Sequence, residues 1–261
     1  MTKKQGIFST DAAIIGRGLG HYYNEGQWVF KDLDFYCKAG SVQAILGLNG
    51  CGKTTLLRIL LGLLKPKEGI VEKVSHPALV PQLFQAVFSF TAMDMVLMGR
   101  ARKISLFGRP TRYDEKLCLT AMERLGVANL ANRPYTELSG GQRQLIILAR
   151  ALASEARILI LDEPASALDL ANQAMLISRI RELSKSDGYT IIFSTHMPQQ
   201  ALAVADDVLI MKVNGGALFG PTKEVLTEEN LAKAFGTEVR RVVFERDGKK
   251  SEALVSVFTE D

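Results

Sequence analysis

Residues 41–64 read SVQAILGLNGCGKTTLLRILLGLL: an apolar run, a glycine-rich turn, then an apolar-periodic segment. Val42, Ala44, Ile45 and Leu46 predict a buried strand, and the residues after Lys53 predict a helix. Between them, Gly47-Leu48-Asn49-Gly50-Cys51-Gly52-Lys53-Thr54 fits the phosphate-binding pattern G-x-x-x-x-G-K-[ST], and Thr55 continues it into the helix. The glycines let the backbone turn its N–H groups toward a polyphosphate, and the helix start adds the positive end of its dipole. Lys53 supplies a point charge for the β- and γ-phosphates, and the Thr54 hydroxyl suits a hard Mg²⁺ ion. An incidental lysine on a glycine-rich turn is the competing reading; the correct flanking strand and helix count against it. A nucleoside triphosphate site is expected here.

At 261 residues the chain has length for a full core. A net charge of +4, with no run of Lys or Arg longer than two, gives no footprint for nucleic acid, and none is expected as a partner. Cys37, Cys51 and Cys118 are too few and scattered for a disulfide framework or a zinc site. Cys51 has two readings: a small residue filling a variable loop position, or a thiol activated by the helix N-terminus and open to oxidation. Residues 1–10 lack the apolar region of a secretory signal, and no apolar run reaches the ~18 residues needed to span a bilayer. A soluble protein of a reducing compartment is expected, meeting any membrane through a partner.

Taken in order, Ala12 to Leu19 and Asp32 to Tyr36 predict strands joined by a polar, aromatic connection from His21 to Lys31. With Ser41 to Leu46 they suggest a small antiparallel sheet leading into an α/β core. Gly16, Gly18 and Gly20 mimic a dinucleotide fingerprint, but His21 breaks it. Tyr22 and Tyr23 each offer a face on which a nucleobase could stack. Lys65-Pro66 is expected to close the first helix, with a turn at Gly69 and strand-like alternation from Val71 to Val80. Asp94 to Met98 predicts a helix stopped by Gly99, residues 100–112 a basic loop, and Asp114 to Leu125 a helix stopped by Gly126. Residues 83–137 thus read as a mostly helical insertion. Beyond it come a helix opened by Ser139-Gly140-Gly141-Gln142, a buried strand at Ile158 to Leu161, a helix through Leu176, Ile180 and Leu183, and a strand at Tyr189 to Ser194. Hairpins are expected around Asn214-Gly215-Gly216 and Asp247-Gly248.

Other residues add chemistry to this frame. Ile158-Leu159-Ile160-Leu161-Asp162-Glu163 ends an apolar strand in two carboxylates. Asp162 suits Mg²⁺ through its water shell, and Glu163 suits the water that attacks the γ-phosphorus. His196, just after the next strand, is placed to reach the γ-phosphate from the far side, and the Gln82 amide oxygen suits Mg²⁺ or water. Leu138-Ser139-Gly140-Gly141-Gln142 forms a second anion cradle at a helix N-terminus. One nucleotide needs one such cradle around its γ-phosphate. Two copies pairing head to tail, each lending its Ser-Gly-Gly-Gln to the other's nucleotide, is the economical reading.

With these motifs in place, residues 12 to 236 resemble the nucleotide-binding subunit of an ATP-binding cassette (ABC) transporter. The resemblance rests on the phosphate loop, Gln82 in Val-Pro-Gln, Leu138 to Gln142, the acidic strand 158–163, Ser166-Ala167-Leu168-Asp169 and His196. It implies an α/β, RecA-like P-loop NTPase fold: a mostly parallel sheet, an N-terminal antiparallel β subdomain, a helical subdomain at 83–137 and a short β extension at 237–261. It implies an ATP- and Mg²⁺-dependent ATPase acting as a homodimer, with Glu163 and His196 catalytic, Asp169 at the dimer contact, and Tyr23, by its spacing, on the adenine. A single cassette resembles the importer arrangement, cytoplasmic and peripheral on the membrane through permease subunits that a substrate-binding protein serves. Val96-Leu97-Met98-Gly99-Arg100 is similar to importers of iron-siderophore chelates, cobalamin and related metal species, with molybdate or tungstate import as the alternative. A soluble cassette ATPase acting on nucleic acid or the ribosome is the more distant reading, since 261 residues hold neither tandem cassettes nor long coiled coils. In the family the helical subdomain grips a permease helix. Leu83, Phe84, Val87, Phe88 and Phe90 read equally as that grip or as core packing. A tail this short implies no ligand-sensing domain.

Overall fold

The computed structural model describes residues 11–82, 90–105, 108–213, 215–246 and 248–257. Strands β1 (Ala12–Tyr22) and β2 (Trp28–Lys38) lead into β3 (Val42–Leu46) and helix α1 (Lys53–Leu61), followed by β4 (Glu68–Lys73) and β5 (Ala78–Val80). Helices α2 (Ala92–Leu97), α3 (Arg112–Arg124) and α4 (Gly140–Ala153) come next, linked by 3₁₀ turns at Met98–Arg100, Ala128–Leu130 and Tyr135–Glu137. The chain continues through β6 (Ile158–Leu161), α5 (Leu170–Lys185), β7 (Thr190–Thr195), α6 (Pro198–Val204), β8 (Asp207–Met211) and β9 (Ala217–Pro221). It closes with α7 (Thr222–Val225), α8 (Glu228–Phe235) and the hairpin β10 (Val239–Arg246) and β11 (Lys249–Ser256).

The central sheet has the order β5-β6-β7-β3-β8-β9, parallel except for β9. Strands β3, β6, β7 and β8 are buried on both faces, which is why they read as apolar runs. Their alternation separates two cores. Val42, Ala44, Leu46, Leu159, Leu161, Ile191 and Phe193 face α4, α5 and the helical segment. Ile45, Ile158, Ile160, Ile192 and Leu209 face α1 and the antiparallel sheet β2-β1-β4. Truncating a side chain such as Leu57, fully buried in the second core, costs about 2–5 kcal/mol.

Several local expectations change. Ser41 to Leu46 does not join the antiparallel sheet: β3 lies inside the parallel one, and β1 takes β4 as its second partner. Most of the aromatic connection is strand, because Tyr22 and Trp28 pair across β1 and β2 with rings T-shaped at 4.9 Å. Helix α1 ends at Leu61, before Lys65-Pro66, where Gly62 takes φ +81°. Gly69 lies within β4 at φ +81°, and a Cβ there would stand 2.3 Å from the Arg17 carbonyl oxygen. It permits close backbone approach inside a strand. Residues 71–80 split between two sheets. Gly99 does not stop α2; it sits in the 3₁₀ turn, where a Cβ would lie 2.1 Å from the Arg150 carbonyl oxygen of α4. Arg100 is no loop cation. Buried, it bonds Asp114 Oδ1 at 3.0 Å and Glu155 Oε2 at 2.6 Å, tying α3 to the end of α4.

Candidate nucleotide site

The phosphate loop joins the carboxyl end of β3 to α1, so its position follows from the central strand of the sheet. Gly50 and Gly52 adopt φ +82° and +101°, conformations a side chain would strain. Gly47 is held as tightly: an added Cβ would meet the Met211 carbonyl oxygen at 2.5 Å. Lys53, 5% exposed, folds back along the loop. Its Nζ donates to the carbonyls of Gly47 (2.9 Å) and Leu48 (3.1 Å) and pairs with Glu163 Oε1 at 3.1 Å.

Asp162 and Glu163 follow β6, and the β6–β7 register sets Ser194 beside them. The Ser194 hydroxyl donates to Asp162 Oδ1 at 2.7 Å and accepts from the Glu163 N–H at 2.9 Å. Thr54 Oγ1 donates to Asp162 Oδ2 at 3.0 Å. Glu163 sits at φ +44°, a left-handed conformation that is costly for a residue other than glycine and that turns its carboxylate between Lys53 and His196. His196 Nδ1 lies 3.3 Å from Glu163 Oε2. Gln82 Nε2 donates to Ser166 Oγ at 3.0 Å, and that hydroxyl donates to the Glu163 carbonyl at 3.0 Å.

Above these groups opens a cavity of about 520 Å³ lined by Tyr23, Val29, Asn49, Gly50, Gly52, Lys53, Thr54, Thr55, Gln82 and Glu163. The two tyrosines part company here. Tyr22 packs against Trp28, whereas Tyr23, 60% exposed, lines the cavity with its hydroxyl 3.0 Å from Thr55 Oγ1. Cys51 points inward and is 2% exposed. Burial raises its thiol pKa, outweighing the neighbouring Lys53 charge and the backbone N–H groups that pull it down. Both observations favour the reading of Cys51 as a small residue filling the loop.

The second cradle stands apart. None of Leu138, Ser139, Gly140, Gly141 and Gln142 lines the cavity. Ser139 caps α4: its hydroxyl accepts from the Gln142 N–H, and its own N–H donates to Gln142 Oε1. A Cβ on Gly141 would meet Asn172 Oδ1 at 2.3 Å. The same Asn172 donates from its backbone and its amide to Asp169, the cap of α5, both at 2.8 Å. Asp169, Asn172 and the Ser-Gly-Gly-Gln turn form one unit in which Ser139, Gly140 and Asp169 are exposed and Gly141 is buried, and beside it Leu170 is 81% exposed.

Residues 30–166 match the family model described as "ABC transporter". The chain belongs to the ABC transporter family. It is 40% identical over 246 residues to the molybdate import ATP-binding protein MolC of Haemophilus influenzae, covering 94% of this chain and 95% of that one. It is 34% identical to a probable iron chelatin transport ATP-binding protein of Helicobacter pylori, covering 82% and 89%. Its fold matches the solved structure of an inward-facing, metal-chelate type ABC transporter with TM-score 0.91 at 38% identity, over 95% and 98% of the two chains. This ABC chain is a nucleotide-binding, transport-coupled ATPase with the P-loop NTPase fold.

One group in the ABC site escaped sequence reasoning: Ser194, whose importance depends on cross-strand register. The usable signal was a hydroxyl in a buried strand two residues before His196. Ser166 enters the sequence reading only as the start of Ser166-Ala167-Leu168-Asp169, without its bonds to Gln82 and Glu163.

Proposed function

We propose that this ABC ATPase works as a head-to-tail homodimer that closes two ATP molecules between the phosphate loop of one subunit and the Ser139–Gln142 turn of the other. The observation behind this reading is that the chain carries two anion cradles, set apart from one another, where one nucleotide needs one. The exposed Leu170 beside Asp169 supports it, since a partner subunit at this face would cover an apolar side chain. Lys53 and the α1 N-terminus hold the phosphates and oppose the charge that grows on the γ-phosphoryl oxygens. Glu163 orients the attacking water and accepts its proton, while His196 and Lys53 fix the carboxylate. Tyr23 carries the base.

Mg²⁺ fits the oxygens present: the Thr54 hydroxyl, the Asp162 carboxylate through water and the Gln82 amide, with phosphate oxygens completing the shell. No group of three or more His, Cys, Asp or Glu that could hold a metal occurs among the described residues, as suits an ion bound with its nucleotide. When bound, the ion supplies charge neutralisation between the phosphates.

The helical segment 83–137 is read as the subdomain that grips a permease. Phe90, Leu97, Met98, Ala101 and Ile104 line a cleft of about 600 Å³ suited to a short helix, while Leu83, Phe84, Val87 and Phe88 lie outside the described residues. Phe90 also packs on the core, as the second reading made for it expects. No described helix is long and apolar enough to cross a membrane, in keeping with a peripheral place on the cytoplasmic face through permease subunits. The cargo is read as a metal-bearing species, oxyanion or chelate, as the names of the two relatives divide.

Mixing inactive variants tests the composite site. Lys53→Ala is expected to abolish nucleotide binding and Ser139→Arg to block hydrolysis. A 1:1 mixture is expected to recover about a quarter of the wild-type rate, half of its pairs being hybrids with one of two sites intact. A mixture as inactive as its components, with hybrids verified by differential tags, counts against the sandwich.

A further inference from the structure

One buried polar ring lies beneath the aromatic wall of the cavity and takes no part in the chemistry assigned so far. His21 is 2% exposed, the next-but-one neighbour of Tyr23, and the two rings meet edge to face with centroids 5.1 Å apart and planes at 81°. Its Nδ1 has no hydrogen-bond partner. Tyr23 is therefore held at two ends, its hydroxyl by Thr55 Oγ1 and its ring by His21.

We propose that His21 is a positioning residue for the nucleobase: it fixes the plane of Tyr23, and so the face that a base meets, before nucleotide arrives. The inference rests on the reading of Tyr23 as the base platform. An exposed tyrosine with a free χ1 would lose rotamer entropy on stacking, and a ring already packed edge to face has lost it in advance. The phosphate half of the site is built from β3, α1 and β6, so His21 acts on the base and leaves the triphosphate contacts alone. A buried nitrogen without a partner is unfavourable for packing alone.

Calorimetric titration of the full chain with ATP and with inorganic tripolyphosphate separates base from phosphate. His21→Leu, which fills the same space without a flat ring, and His21→Ala are expected to weaken ATP binding about three- to tenfold, the size of an aromatic pair contact. Tripolyphosphate affinity is expected to stay unchanged, and His21→Phe, which restores the ring, to bind ATP as the wild type does. Wild-type ATP affinity in folded His21→Leu overturns the proposal, as does an equal loss toward tripolyphosphate or a failure of His21→Phe to rescue. Tyr23→Ala keeps the two readings distinct: if it leaves ATP affinity unchanged, the platform itself is wrong. If only Tyr23→Ala weakens ATP, the platform stands and His21 has no part in it.

Discussion

Ser194 serves two carboxylate residues with one hydroxyl, accepting from the Glu163 N–H and donating to Asp162. Fully buried, it leaves the Glu163 N–H without that partner when removed, while Asp162 keeps its bond from Thr54. Ser194→Ala is expected to lower stability by about 1–3 kcal/mol in urea unfolding and to weaken hydrolysis, because Glu163 loses the bond that holds its strained backbone. An unchanged unfolding midpoint would contradict that role. Cys51 makes a second test at this scale. With its thiol pKa raised by burial, it is expected to react with iodoacetamide at pH 8 far more slowly than a free thiol. Rapid labelling that blocks ATP binding would restore the oxidisable reading. These residues show how legibility divides. Lys53, Asp162 and Glu163 announce themselves because motif spacing encodes their geometry, and Ser194 does not because its place depends on register between strands distant in sequence.

Helices and strands divide in the same way. β6 and β7 were legible as short apolar runs, and α4 because apolar period and a capping residue coincide. Residues 71–80 were not, since no local signal says that a chain leaves one sheet for another. Gly99 and Gly69 read as punctuation but are packing glycines, a distinction set by the Arg150 and Arg17 carbonyls facing them. The basic stretch from residue 100 hid a structural clamp, and its acid partner makes a pH test. Hydrogen bonds from the Thr111 hydroxyl and backbone, then the Arg100 guanidinium, hold the Asp114 pKa at about 2, below its ordinary 3.8. A carboxyl depressed by folding stabilises the native state above its unfolded pKa, and that contribution fades as pH falls from 3.8 through about 2. Asp114→Asn is expected to be less stable at neutral pH and to lose less stability than the wild type across that acid range, followed by far-UV circular dichroism. Identical acid curves would remove Asp114 from the clamp.

At the scale of the whole molecule, two anion cradles lie on one chain and do not meet within it. That arrangement was legible from composition of motifs alone, since a phosphate loop and a Ser-Gly-Gly-Gln turn are each complete cradles. What the sequence left open was how rigidly the second is built, and Gly141 pressed against Asn172, itself bound to Asp169, answers that. In the proposed dimer such a unit meets its neighbour as a preformed face, nucleotide is the bridge between subunits, and blocking its hydrolysis should hold the bridge in place. Sedimentation velocity of Glu163→Gln with saturating ATP and Mg²⁺ measures this directly. The expected result is a dimer that forms with ATP, reverts to monomer without it and disappears when Ser139→Arg is added. A chain that stays monomeric with ATP demonstrably bound would contradict the composite site.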